Sequence, residues 1–200
     1  MADSQPSGMT SERVNFIIAL SAILISAASF YATYLQADAA DKQVRAMTLP
    51  LLKFEHGNYD MAADKAALNF TLVNAGIGPA VVKNVEFQFD GQRFSSLHKF
   101  LDGCCQQSYK KYLQYADDNP QASMHEGTLI TRPLIGAVLP GQSEYEFLKL
   151  YKHEISSDLW NTINRERWEL KFGVCFCSML DECYRSTDGV ETEAVNRCEG

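Results

Sequence analysis

The sequence predicts a mainly β chain: one N-terminal transmembrane helix, then a β-sandwich carrying short helical insertions. Three observations predict it. An uncharged stretch, Val14 to Ala37, lies between Arg13 and Asp38. Beyond Pro50, apolar residues recur with period two in short runs separated by turn residues. Two segments of helical spacing interrupt those runs. The predicted organisation is an N-terminal tail 1–13, a transmembrane helix 14–37, a helical stalk 38–48, a sandwich domain 49–188 and a polar tail 189–200. The helical inserts fall near 95–116 and 155–166.

The first stretch contains NFIIALSAILISAASFYATYL, without Pro, Gly or an ionisable side chain. As a helix, Val14–Leu35 is ~33 Å long at about 1.5 Å per residue, which matches a hydrocarbon core of about 30 Å. Thr10 or Ser11 caps its start, and Glu12 places an anion in the first turn where the helix dipole favours one. Ala37-Asp38-Ala39 looks like a signal cleavage site. The apolar run exceeds the roughly 7–15 residues of a signal core, however, and the n-region is barely basic. An uncleaved anchor is therefore expected. The helix flows on through QADAADKQVRAM as a stalk and stops before Pro50. Tyr31 and Tyr34 sit where a bilayer interface favours aromatic rings.

Ala19, Ala22, Ser26, Ser29 and Thr33 recur at spacings that put small residues on one helix face. Small residues let a second helix approach closely, so this face is a candidate contact with another membrane protein or a second copy.

Past the stalk, Leu49–Glu55 reads as a first strand with Pro50 at its start or edge. Ala67–Asn74 turns Leu68, Phe70 and Leu72 to one face. Val81–Phe89 sets Val81, Val85, Phe87 and Phe89 against Val82, Asn84, Glu86 and Gln88. NAGIGPA between these two strands is a turn. Thr128–Thr131 and Gly136–Leu139 are shorter strands, and Pro140-Gly141 leads into Glu144–Leu150. Trp168–Ser178 is the last, with Trp168, Leu170, Phe172, Val174 and Phe176 inward. About seven short strands separated by turns suggest a sandwich. Within the first insert, Leu97, Phe100, Leu101, Tyr112 and Leu113 pack inward and Gly103 separates two short helices. The second insert, Ile155–Glu166, is a helix capped by Ser156 or Ser157 that buries Leu159 and Ile163.

The helix, the stalk ending near a proline, then LNFTLVNAGIGPAVVKNVEF and VLPGQSEYEFLKL, resemble a class of small bacterial single-pass membrane proteins with an Ig-like soluble domain. GVCFCSMLDECYRS is similar to a terminal hairpin in part of that class. The resemblance covers most of Val14–Arg185 and implies an Ig-like sandwich in the bacterial cytoplasmic membrane. Its motifs are structural and imply no catalytic residues.

Six cysteines and a net charge of −7 bound the chemistry. Lys and Arg are scattered, so no basic face supports nucleic-acid binding. Arg13 before the helix, and Lys42, Arg45 and Lys53 after it, lean toward a cytoplasmic domain under the positive-inside rule. An even cysteine count leans the other way, and the expectation is an extracytoplasmic, periplasmic domain.

Cys175 and Cys177 share the strand face opposite Phe172, Val174 and Phe176. A three-residue turn would set Cys177 across from Cys183, near disulfide distance. The open alternatives are that bond, a bond from this group to Cys104 or Cys105, a metal site, redox-active thiols, or reduced packed cysteines. Metal lacks the usual C-x2-C spacing, and redox use lacks C-x-x-C. Cys104 and Cys105 are expected not to bond each other, because the link strains the peptide between them. His56, His98, His125 and His153 are dispersed and match no ligand pattern. No nucleophile elbow or catalytic carboxylate pair is present, and no cofactor is expected. Tyr109, Lys110, Lys111 and Tyr115 remain as candidate surface contacts for a protein partner. The sequence therefore predicts a membrane-anchored binding or accessory module without catalysis. Its alternative is a thiol- or metal-dependent protein using Cys175, Cys177 and Cys183.

Overall fold

The structure is a computed structural model that describes residues 11–121, 127–187 and 191–198. Thr10, His125 and most of the N-terminal tail lie outside the described residues. The chain divides into two compact units, Met1–Ala46 and Met47–Gly200.

Helix α1 runs Ser11–Thr48 with Glu12 in its first turn, and it buries no residue. Its apolar part is long enough to cross a membrane. Toward its end, Lys42–Asp38 at 2.8 Å and Arg45–Asp41 at 2.9 Å form (i, i+4) ion pairs. Such pairs support an exposed helix segment. Thr33 Oγ1 donates to the Ser29 carbonyl at 2.9 Å, within the small-residue face.

The second unit is sandwich-like, with two antiparallel sheets. Strands β1 (Leu52–Gly57), β2 (Ala67–Asn74), β5 (Leu129–Thr131) and β7 (Ser143–Tyr151) form one sheet in the order β1-β2-β7-β5. The other runs β10-β9-β8-β3-β4, using β3 (Ala80–Phe89), β4 (Gln92–Phe94), β8 (Lys171–Cys177), β9 (Cys183–Thr187) and β10 (Glu191–Val195). A two-residue strand, β6 (Val138–Leu139), also pairs with β3. Aromatic rings join the facing sheets: Phe54 meets Phe172 at 4.8 Å and Phe147 meets Phe172 at 5.7 Å. Such contacts add to the burial of apolar area that drives the core together.

Four local expectations are corrected. Ala80 and Val82 face inward rather than Val81, because Lys83 is an extra residue in a bulge between Val82 and Asn84. Beyond the bulge, Val85 and Phe87 are inward as the alternation requires. Trp168 is 71% exposed; strand β8 starts only at Lys171, and the indole instead lies over the Arg167 guanidinium at 4.3 Å. The first strand begins at Leu52 rather than Leu49. The segment 189–200, expected only as a polar tail outside the sandwich, pairs with β9 through Glu191–Val195.

Buried Asn74 ties the β2–β3 turn together. Its Oδ1 accepts from Leu51 N and Gly76 N, and its Nδ2 donates to the carbonyls of Gly78 and Pro140. At Gly78 a Cβ would overlap the Thr48 carbonyl, so only glycine lets the chain cross there.

Buried Arg167 crosses to β1, where Nη1 donates to His56 Nδ1 at 2.5 Å. Arginine has only donors, so Nδ1 is the acceptor and His56 is neutral. Desolvation first and the Arg167 charge second hold the His56 pKa below its usual value.

Candidate functional site

Two sulfur-bearing regions stand out: a helical crest between β4 and β5, and the C-terminal hairpin. The crest comprises α2 (Leu97–Cys104) and α3 (Gln106–Asp118), with α4 (Ser157–Glu166) packed beside α3. Ser96 caps α2, its side chain accepting from Lys99 N at 3.4 Å. Leu97, Phe100 and Leu101 face the core, and Phe100 stacks on Phe87 at 5.7 Å.

Gly103 lies inside α2, not at the break, because Phe94 packs against it and leaves no room for a Cβ. The break is at Cys105, whose φ of −131° and ψ of 26° are not helical. Cys105 is at once the C-cap of α2 and the N-cap of α3.

The side chains of α3 correct part of the surface expectation. Tyr109 is buried and bonded to His98 Nδ1 at 2.9 Å, so it is no partner contact. Tyr112 is buried too, and its hydroxyl accepts from Leu129 N at 2.7 Å. Burial raises both phenol pKa values. Leu113, expected inward, is 41% exposed; the helix turns its tyrosine side to the sandwich because those rings find polar partners there. Lys110 and Lys111 are exposed and Tyr115 half-buried. Lys111 Nζ reaches Asp158 Oδ2 at 2.5 Å and links α3 to α4. Ser156 at the start of α4 does not cap with its side chain; its Oγ donates to the Tyr151 carbonyl at 2.7 Å and accepts from His153 N.

Cys104 and Cys105 are bonded to each other, which corrects the expectation that they are not. Their Cα atoms are 3.8 Å apart, the ordinary spacing of neighbours, so the ring is accommodated at the kinked junction between helices. The pair lines a hollow of about 540 Å³ between α3 and α4. Its wall also includes Gln106, Ser108, Lys111, Asp158, Asn161 and Arg165. Cys104 is half-buried, and Cys105 is 3% exposed.

At the other region, Cys177 pairs with Cys183 directly across the β8–β9 ladder, and the two are disulfide-bonded. Cys175 bonds Cys198. Cys198 had no assigned partner from sequence, because nothing local marks the residues beyond 188 as returning to β8. The two bonds lie side by side, with Cys177 Sγ 4.0 Å from Cys198 Sγ. They cover the outward face of β8, so Cys175 and Cys177 are buried although they point away from the core. The sulfurs of Cys177, Cys183 and Cys198 lie within 4.8 Å of one another. All are oxidised here, and a metal ligand must be a thiolate.

The outward sheet face also holds a polar hollow of about 430 Å³ around Gly173, bordered by Arg93, Lys171 and Arg185. Glu86 lies 3.5 Å from Arg93 and offsets that cation, and Glu193 stands opposite Arg185 in the ladder. No family model, no curated protein and no solved structure matches this chain.

Proposed function

We propose that this chain is a membrane-anchored binding module, an accessory or sensor subunit of a membrane assembly that acts by contact rather than catalysis. One observation carries the reading. Helix α1 buries none of its residues, while the second unit closes a full core of its own. An apolar helix of that length without a protein core to cover it suits a bilayer. In this reading the helix is a single-pass anchor in a bacterial cytoplasmic membrane and the sandwich is Ig-like. The orders β1-β2-β7-β5 and β9-β8-β3-β4 support the latter, since constant-type Ig domains place strands ABED over CFG in the same neighbour relation. Bonding of all the described cysteines supports an oxidising, extracytoplasmic side.

The contact surface within the membrane is the face of Ala19, Ala22, Ser26, Ser29 and Thr33, which fits a second copy or another membrane protein. Ala22→Leu with Ser26→Leu is expected to lower in-membrane cross-linking of the full chain; unchanged yield would remove that interface. Orientation is tested by maleimide added outside intact cells. Labelling only after a reductant supports the extracytoplasmic side, and its absence after reductant places the domain inside.

A metal-dependent reading keeps one observation in its favour, the three sulfurs of Cys177, Cys183 and Cys198 within 4.8 Å. It requires reduction first. Stoichiometric zinc on the reduced chain, with fold retained, would favour it over the binding module.

A further inference from the structure

We propose that the Cys104–Cys105 disulfide is a thiol–disulfide exchange site whose substrate is a dithiol. This goes beyond a binding module, and it moves the thiol chemistry away from the C-terminal hairpin.

The first argument concerns why the bond exists. A disulfide stabilises chiefly by removing loop-closure entropy from the unfolded chain, and that effect shrinks with the loop. Cys104 and Cys105 are separated by one position, against 23 for Cys175–Cys198. The bond at the crest therefore holds almost nothing together. Breaking it costs the fold little, which is what a bond that opens and closes in service requires.

The second argument is access. Both cysteines line the hollow between α3 and α4, but Cys104 is half-buried whereas Cys105 is almost wholly buried and belongs to the core cluster. An incoming thiolate reaches Cys104 Sγ, and Cys105 is the leaving group.

The third argument is the leaving group itself. Cys105 is the N-cap of α3, a helix of 13 residues, and its own side chain makes no capping hydrogen bond there. The first-turn N–H groups of a helix have no intrahelical acceptors, and the helix dipole favours a negative charge there. A thiolate released at Cys105 falls at that position, where the α3 end favours it, against the C-terminus of α2 at the same residue and the burial of Cys105 in the core cluster. A lower leaving-group pKa speeds exchange. The charged side chains around the hollow contribute less. Lys111 is held by Asp158, and Arg165 by Glu166 at 2.7 Å. Asp102 of α2 opposes a thiolate from the adjoining hollow.

The step balances as follows. One thiolate of the partner attacks Cys104 Sγ; a partner–Cys104 disulfide forms, the Cys104–Cys105 bond breaks, and Cys105 leaves as a thiolate. The partner's second thiolate then attacks its own bridged sulfur and releases Cys104 as a thiolate. The partner dithiol is oxidised to a disulfide by two electrons, and Cys104 and Cys105 take up two protons from water. Opening the ring removes the restraint on the non-helical backbone of Cys105, where α3 with Lys110, Lys111 and Tyr115 is hinged to α2.

The test uses the full chain in detergent micelles, titrated with dithiothreitol, trapped with N-ethylmaleimide and mapped by mass spectrometry. Cys104 and Cys105 are expected to be labelled at about tenfold or more lower reductant than the four C-terminal cysteines. Simultaneous opening of all three bonds, or opening of this one last, overturns the proposal. In the reduced chain, the alkylation rate of Cys105 is expected to rise with a midpoint below the free-thiol value of about 8.5; a midpoint at or above it removes the leaving-group argument. With a disulfide-bonded Cys-Gly-Pro-Cys peptide as probe, Cys105→Ala is expected to give a mixed disulfide at Cys104, and Cys104→Ala to give none at Cys105. The reverse pattern, or no adduct on either variant while circular dichroism and the C-terminal bonds are unchanged, also overturns it.

Discussion

Cys175–Cys198 and Cys177–Cys183 close chain segments of 23 and 6 positions, whereas Cys104–Cys105 joins neighbours and closes none. The hairpin pairs link β8 to its sheet neighbour β9 and tie Cys198, beyond β10, back to the outward face of β8, a face that also borders the polar hollow around Gly173. The crest is held by other means: Phe100 against Phe87, the tyrosine hydroxyls of α3, and the Lys111–Asp158 link to α4. Sulfur is therefore structural where it closes a length of chain. It is structurally spare where aromatic packing already does the holding. Paired cysteines alone do not distinguish these cases; the length of loop closed and the packing around it do.

The largest effect expected on this view is at the longest loop. Cys175→Ala with Cys198→Ala should lower stability by about 3 kcal/mol, from the loop entropy returned to the unfolded chain. Urea titration of the full chain, followed by the fluorescence of Trp160 and Trp168, measures it. Amide exchange at Glu191–Val195 should rise together with that loss. A loss under about 1 kcal/mol would end the assignment of this pair as a staple. Cys177→Ala with Cys183→Ala should cost less, about 2 kcal/mol, because the loop is shorter and the ladder already brings the ends together.

The sheets were legible from alternation because a half-buried strand must turn one side to the core. Ala67–Asn74 is β2 residue for residue, and Leu170, Phe172, Val174 and Phe176 are inward. The failures have local causes. One bulged residue, Lys83, inverted the inner face of β3 before the bulge. Trp168 reads as a strand residue by pattern, yet Arg167 captures its ring outside the sheet. At the site, Cys177–Cys183 was legible because hairpin geometry is local. Cys175–Cys198 was not, since nothing between residues 184 and 197 signals that the chain returns. The Cys104–Cys105 bond was set aside on strain grounds that hold within a regular helix but not at a junction with φ −131°. Tyr109 was misplaced because helical spacing gives a face, not which of two neighbouring faces finds a polar partner inside.

The crest's own attachment gives the next effect. Tyr112→Phe keeps the ring in place and removes the acceptor of the Leu129 N–H, at the start of β5. The expected loss is about 1 kcal/mol, the usual cost of one net hydrogen bond. Amide exchange at Leu129 should quicken while Glu191–Val195 stays protected. If Tyr112→Phe instead loosens the C-terminal strands, the two regions are coupled and the division drawn between them fails.

The smallest effect is expected at the crest disulfide. Cys104→Ala with Cys105→Ala removes a bond whose entropic contribution is about 1 kcal/mol or less. Cys105 is buried, so its replacement also deletes a small apolar side chain from the core cluster. Cys104→Ala with Cys105→Val keeps most of that volume and separates the two contributions. Both variants should retain urea midpoints close to that of the parent, well above those of either hairpin variant. A loss as large as that of the Cys175/Cys198 variant would mean that the ring is what fixes the angle between α2 and α3. In that event the crest is a stapled element like the hairpin, and the bond's opening would have to unfold it.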